Sequence, residues 1–168
     1  MISEEYRKLN EQLHADRADY GAGGHKWAPT VIDLARELAV TSILDYGCGK
    51  RTLEEALKFS IRNYDPAIPG LDAPPEPADL VVCTDVLEHI EPEHLEAVLG
   101  DIRRCTLKAA LLVVATRPAK KTLADGRNAH LIQRPIEEWL ADLGLLRLWT
   151  PMQLVNFGGE FLYIGRPK

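Results

Sequence analysis

No apolar run in this chain approaches the ~20 residues that a membrane-spanning helix needs, so a helical membrane protein is excluded. Cysteine is scarce. Cys48, Cys83 and Cys105 are odd in number and show no CxxC spacing, which argues against a disulfide framework or a zinc site. A reducing cytoplasm is therefore the expected location. Positive charge is not in excess either: 20 Lys and Arg against 25 Asp and Glu leave −5, and no global field draws nucleic acid. There is no internal repeat, no low-complexity tract, and no appended RNA-binding module or aromatic-basic surface. The opening stretch, MISEEYRKLNEQLHADRADYG, is charged from its third residue and lacks the apolar core of a signal peptide. What remains is a chain of 168 residues with an ordinary apolar and charged content, expected to be one domain (1–168) around one sizeable core.

Along that domain, strand and helix signals alternate. Residues 4–15 read as a polar, amphipathic helix, followed by the glycine-rich loop DYGAGGHKW (19–27). APTVIDLARELA is a helix with Pro29 in its first turn. SILDYG reads as a buried strand, TLEEALKF as a short helix capped by Thr52, and IRNYDP as a strand stopped by Pro66. The proline-rich segment 66–78 is no helix. DLVVCTD is a central parallel strand, EPEHLEAVLGDIRRC a helix, and AALLVVAT another buried strand. A long loop, 117–134, leads to the helix PIEEWLADLG, and LLRLWT and EFLYIGR are expected to form a terminal hairpin-like pair of strands. This order predicts an α/β fold: a doubly wound, mainly parallel sheet with helices on both faces. Ligands of such sheets sit beyond the carboxyl ends of the strands, where strand order reverses.

The first strand ends in SILDYGCGKRT (42–52), an acid running into Gly47-Cys48-Gly49. The glycines let the backbone turn tightly and approach a ligand. A dinucleotide fingerprint, G-x-G-x-x-G, fails here because the third position is Thr52, and a phosphate-binding P-loop is absent. Asp45, two residues before Gly47, would repel a pyrophosphate but attract an amino group. The pattern resembles the first motif, acid-x-Gly-x-Gly, of class I S-adenosylmethionine-dependent methyltransferases. A second acid, Asp65 in NYDP, and a third element, VVCTDVLEHI (81–90), follow in the family's order, and the resemblance spans roughly residues 30–145. It implies a Rossmann-like fold with S-adenosylmethionine as cofactor and S-adenosylhomocysteine as product. The cofactor would be held by Asp45, Tyr46, Gly47, Cys48 and Gly49, by Asp65 and Pro66, and by Asp85 and Val86, with Asp45 near the methionyl amino group and Asp65 on the ribose. Arg51 stands where the family has a third glycine. The short interval after Asp65 predicts a sheet trimmed between the second and fourth motif strands, with residues 66–78 wrapping the adenine side.

The residues Asp85, Glu88 and His89, with His130 in the following loop, resemble an E-x-x-E-H arrangement in two methyltransferase groups. These are the ubiquinone-pathway O-methyltransferases and the enzymes that methylate the 3′-terminal ribose of small RNAs, where such residues bind a divalent metal. Here the first position is an aspartate, one methylene shorter, and no metal is predicted, though mixed carboxylate and imidazole ligands would suit several ions. Three roles stay open for His89, His130 and Glu88: proton transfer, metal binding, or organisation of the loop. Imidazole titrates near neutral pH and suits a general base.

Residues 117–134 carry Arg117, Lys120, Lys121, Arg127 and Arg134 against Asp125 alone, a charge of +4 that leaves −9 on the rest of the chain. That loop is expected on the substrate side and suggests an anionic acceptor; a solvated loop is the alternative. Residues 1–29 are expected to supply a helix and a loop covering the cofactor, with Lys26 or Tyr20 at the methionyl carboxylate and Trp27 either shielding the cleft or in the core. The reading is a methyltransferase acting on oxygen or nitrogen of a small, anionic molecule. A nucleic-acid ribose 2′-O-methyltransferase and a non-catalytic cofactor-binding partner subunit are the alternatives.

Overall fold

The computed structural model describes residues 2–168. Helix α1 (Glu4–Asp16) precedes a 3-10 turn and α2 (Ala28–Glu37); then come β1 (Ile43–Tyr46), α3 (Thr52–Leu57), β2 (Arg62–Tyr64) and β3 (Ala78–Thr84). Two short 3-10 turns lead into α4 (Leu95–Cys105), followed by β4 (Thr106–Ala115), α5 (Ile136–Leu140), α6 (Leu145–Leu148), β5 (Trp149–Asn156) and β6 (Glu160–Pro167). The six strands are ordered β2-β1-β3-β4-β6-β5, parallel from β2 to β4, with β6 antiparallel to both its neighbours. The expected doubly wound, mainly parallel sheet is therefore present, and it has only β2 beyond β1.

Strand side chains alternate between two faces, and two apolar clusters follow. Leu44, Tyr46, Val81, Cys83, Leu112 and Val114 pack with α4, Trp139 and Trp149 on one face. Ile43, Leu80, Val82, Leu111 and Val113 pack with Val31 and Leu34 of α2 and with Leu53 and Leu57 of α3 on the other. The three cysteines are unpaired and buried. No helix among the described residues is long and apolar enough to cross a membrane.

Three local expectations change. The stretch LLRLWT is not one strand: Leu145–Leu148 is a turn of helix after Gly144 (φ 99°), and β5 begins at Trp149. Gly144 reverses the chain, so Leu145 enters the core under α4 before the strand starts. Thr52 does not cap α3. Arg51 occupies that position in the left-handed region (φ 57°), and the Thr52 hydroxyl instead accepts the N–H of His25 at 3.3 Å. The helix expected over PIEEWLADLG is regular only over Ile136–Leu140.

Candidate active site

A cleft of about 760 Å3 opens beyond the carboxyl ends of β1 and β3, where the strand order reverses. Its floor is the loop after β1. Gly47 and Cys48 both donate their N–H groups to the carbonyl of Tyr64, at 2.7 and 3.0 Å, which ties the loop to the end of β2. This brings Asp65 beside it: one carboxylate oxygen accepts the N–H of Gly49 at 3.1 Å and the other that of Ala67 at 2.9 Å. Each oxygen keeps a lone pair directed elsewhere. Gly49 (φ 48°) has no alternative residue, because a Cβ there would lie 2.5 Å from the carbonyl oxygen of Gly21. Asp45 lines the cleft, and burial, then the neighbouring Asp65, raise its pKa to about 7.

The segment after β3 forms the wall between β1 and β4. Asp85 sits in the left-handed region (φ 56°), donates its N–H to the carbonyl of Val113 at 3.0 Å, and faces Gly23 across the cleft. Burial raises its pKa, then the Glu160 charge, while Lys26, His130 and Arg117 oppose. Glu88 is fully buried and does not line the cleft. One of its carboxylate oxygens accepts the N–H of Ala115 at 3.0 Å, and its carbonyl accepts that of Ile132 at 2.9 Å. Burial, then Asp85, push its pKa to about 8, so the neutral acid dominates at pH 7. His89 is pushed down to about 3 by burial and then by His130.

His130 arrives from the loop after β4, with its Nδ1 2.6 Å from the carbonyl of Arg117. A carbonyl can only accept, so Nδ1 carries the proton and Nε2 keeps its lone pair. Burial holds the His130 pKa below the usual histidine value. The His89 and His130 rings meet edge to face with centroids 4.7 Å apart. Glu88, His89 and His130 each offer one ligand atom, all within 4.8 Å of one another, and a buried oxygen of Glu88 and the Nδ1 of His89 have no partner among the described residues. Those three are the residues that could hold a cation. Asp85 does not belong to that group.

The expected residues Lys26, Asp45, Gly47, Cys48, Gly49, Asp65, Pro66, Asp85, Val86, His89 and His130 all line the one cleft. Tyr46, expected beside them, does not line the cleft: its ring packs on Tyr64 at 4.8 Å and its hydroxyl donates to Asp101 at 3.0 Å on the opposite face. Trp27 packs against Phe157 at 5.9 Å, with the α2 cluster, and does not line the cleft. Of segment 66–78, Pro66 and Ala67 reach the cleft, and residues 67–71 border an adjoining depression. In the basic loop, Arg117 pairs with Glu160, Lys121 with Asp19, Arg127 with Asp125 and Arg134 with Glu138, while Lys120 makes no ion pair among the described residues.

Sequence reasoning missed a stripe of α1 and its C-terminal exit. Tyr6, Asn10, His14 and Arg17 follow at helical spacing and all line the cleft. That spacing was the available signal. The Tyr20 hydroxyl donates to Asn10 at 2.8 Å, and the Tyr20 ring stands between His14 (4.7 Å) and His89 (5.8 Å).

Solved structures similar to this chain include a DhpI complex with S-adenosylhomocysteine, at 19% identity and a TM-score of 0.62, with 99% of this chain and 98% of that one covered. Another is the 1,6-didemethyltoxoflavin-N1-methyltransferase of Burkholderia thailandensis with its substrate and S-adenosylhomocysteine, at 17% identity, a TM-score of 0.66 and coverage of 100% and 91%. A third is the magnesium protoporphyrin IX methyltransferase of Synechocystis with S-adenosylhomocysteine, at 14%, 0.55, and 86% and 83%. At these identities the likeness is one of fold, and it matches the Rossmann-like architecture expected above. No curated protein matches by sequence. A family model described as a methyltransferase domain matches residues 14–157, which takes in the glycine loop, both acids and the cleft wall apart from its α1 residues before His14, and the chain belongs to that methyltransferase family.

Proposed function

We propose that the chain transfers the methyl group of S-adenosylmethionine to an oxygen or nitrogen of a small acceptor and releases S-adenosylhomocysteine. Asp65 carries the reading. Its two oxygens are fixed by backbone N–H groups at the foot of the cleft and each retains a lone pair for a vicinal diol such as a ribose. Asp45, with its raised pKa, suits a ligand ammonium, which would return it to the charged form. The sulfonium, when bound, supplies an already activated methyl group, so the chain's task is mainly positioning.

At the acceptor end, His130 Nε2 is a neutral acceptor at the cleft wall and would take the proton of a hydroxyl or amine as the methyl arrives. Glu88 acts through backbone contacts that hold the turn bearing His89 and the loop bearing His130. Lys120, lining the cleft without an ion-pair partner among the described residues, supports an acceptor with one anionic group. The other four cations of the loop are engaged by the chain's own carboxylates, which counts against a polynucleotide acceptor. Unpaired, buried thiols accord with a cytoplasmic setting.

Calorimetric titration with S-adenosylmethionine and S-adenosylhomocysteine tests the cofactor, with Asp65→Asn as control. Asparagine can satisfy one backbone N–H but not both and offers no charge, so at least a tenfold loss of affinity is expected for both ligands. Folded wild-type protein that binds neither ligand would end the proposal.

A further inference from the structure

Helix α1 and the loop after β4 share an apolar cluster separate from the two that flank the sheet: Tyr6, Leu123 and Ala129 are buried in it, with Leu9, Leu13, Ala119 and Leu131 packed around them. Leu9 and Leu13 lie one turn apart on a face of α1 distinct from the stripe that lines the cleft. The loop segment is closed on itself. Asn128 both accepts the N–H of Ala119 and donates to its carbonyl, at 2.9 Å each, and Thr122 bridges Asn128. Leu123 takes the carbonyl of Arg127 at 2.8 Å, and Ala129 that of Lys121 at 3.0 Å. Residues 119–129 are thus a small tongue that carries its own hydrogen bonds and leans on α1. The Arg127 guanidinium over the Tyr6 ring, at 5.9 Å, adds to that contact.

Few bonds join this pair to the body. Ser3 binds the Glu91 carboxylate through its N–H (2.8 Å) and hydroxyl (2.6 Å), the Tyr6 hydroxyl donates to the carbonyl of His89, and the Lys50 ammonium donates to the carbonyl of His14 at 2.7 Å. Lys121 reaches Asp19 in the connection after α1, at 3.2 Å to its carboxylate. Beyond these, Ile2 packs against both this cluster and the core, the His130 ring meets His89, and the Ile132 N–H just past the tongue binds the Glu88 carbonyl at 2.9 Å, whereas the joint between α1 and the tongue is apolar along its length. Both pieces wall the same cleft: Tyr6, Asn10 and His14 from one side, Ala119, Lys120, Lys121 and Ala129 from the other.

We infer that α1 and the 119–129 tongue are one cap, which lifts from the cleft as a single body about the 17–20 connection and the two necks of the tongue, Pro118 and His130. Cofactor and acceptor then exchange through one opening, and neither half is exposed while the other stays covered. The consequence for exchange rests on the ligand reading above; the mechanical coupling does not.

Amide hydrogen exchange of the ligand-free protein tests it. Leu123→Ala, in the tongue, is expected to speed exchange at residues 7–14 of α1 about as much as at the tongue amides of Leu123, Gly126 and Ala129, by about tenfold, while β3 and β4 stay as slow as in wild type. Leu13→Ala should do the reverse, loosening the tongue from the helix side. Unchanged α1 exchange in a Leu123→Ala protein with a protected sheet would overturn the coupling. Should Leu123→Ala loosen β3 and β4 too, Leu13→Ala decides by the same comparison. Added S-adenosylhomocysteine reports separately: protection of neither piece would count against the ligand reading and leave the coupling to stand on the variants.

Discussion

Glu88 accepts the backbone N–H of Ala115 at 3.0 Å, a fully buried bond that joins the turn after β3 to the last residue of β4. Glu88→Gln preserves an amide oxygen for that N–H. Glu88→Ala leaves it unpaired in the core, at a cost of about 2 kcal/mol, or roughly 5 °C in Tm for a chain of this size. Thermal melts of the two variants should differ in that sense.

The same carboxyl sets a pH dependence. Its pKa rises from 4.5 in the unfolded chain to about 8 on burial, so the folded state holds the proton more tightly. Its contribution to stability is complete below 4.5 and is lost as pH rises through 8. Asp45 acts in the same direction between 3.8 and about 7, and His89, held down to about 3, acts oppositely below 6.5. Between pH 6.5 and 9, wild-type Tm should fall, and Glu88→Gln should fall less.

Gly49→Ala would place a methyl 2.5 Å from the Gly21 carbonyl oxygen at φ 48°. Backbone faces backbone there, so no side chain can swing away. The left-handed conformation alone costs about 1–2 kcal/mol, and S-adenosylmethionine affinity should drop below calorimetric detection in protein that still folds.

His130→Gln should lower kcat by about 10² or more with little change in the KM for S-adenosylmethionine, if Nε2 accepts the acceptor's proton. The wild-type rate should hold at pH values somewhat below the usual histidine range, since burial lowers this pKa. Equal losses in kcat at every pH and in cofactor affinity would point to loop collapse.

Asp85 stands apart from the Glu88, His89 and His130 group and faces Gly23. A single fully buried carboxyl is then the only acid in the group. Exhaustive treatment with a chelator is expected to leave methyl transfer within twofold of the untreated rate. A large loss restored by one divalent ion would assign the group to that ion.

Lys120→Ala should weaken an acceptor that bears a phosphate or carboxylate more than its neutral analogue, by about tenfold. Equal effects on the two would remove the anionic group from the description of the acceptor.

Much of this was legible because it is local. The run into Gly47 and Gly49, the acid at each strand end, and the apolar alternation of β3 and β4 are short-range patterns, and the family's motif spacing placed them together. The position of Tyr46 was not legible. Alternation puts it on the face opposite Asp45, but only the Asp101 carboxylate, 55 residues away, which accepts its hydroxyl, shows where its ring goes. The helix over residues 4–15 was legible, but its seat was not, because its partners Glu91, Lys50 and the tongue are all distant in sequence. The bend at Gly144 looked like a helix end before a strand, and the turn of helix beyond it exists because Leu145 has a core site to fill.

The buried cysteines lie at different depths. Cys48 lines the cleft beneath the cap, whereas Cys83, next to last in β3, and Cys105, at the end of α4, are sealed in the core. The chain therefore carries its own timing marks. A thiol reagent would reach Cys48 whenever the roof parts, and Cys83 only when the sheet itself comes undone, so two labelling rates on one unmodified molecule would separate breathing from unfolding.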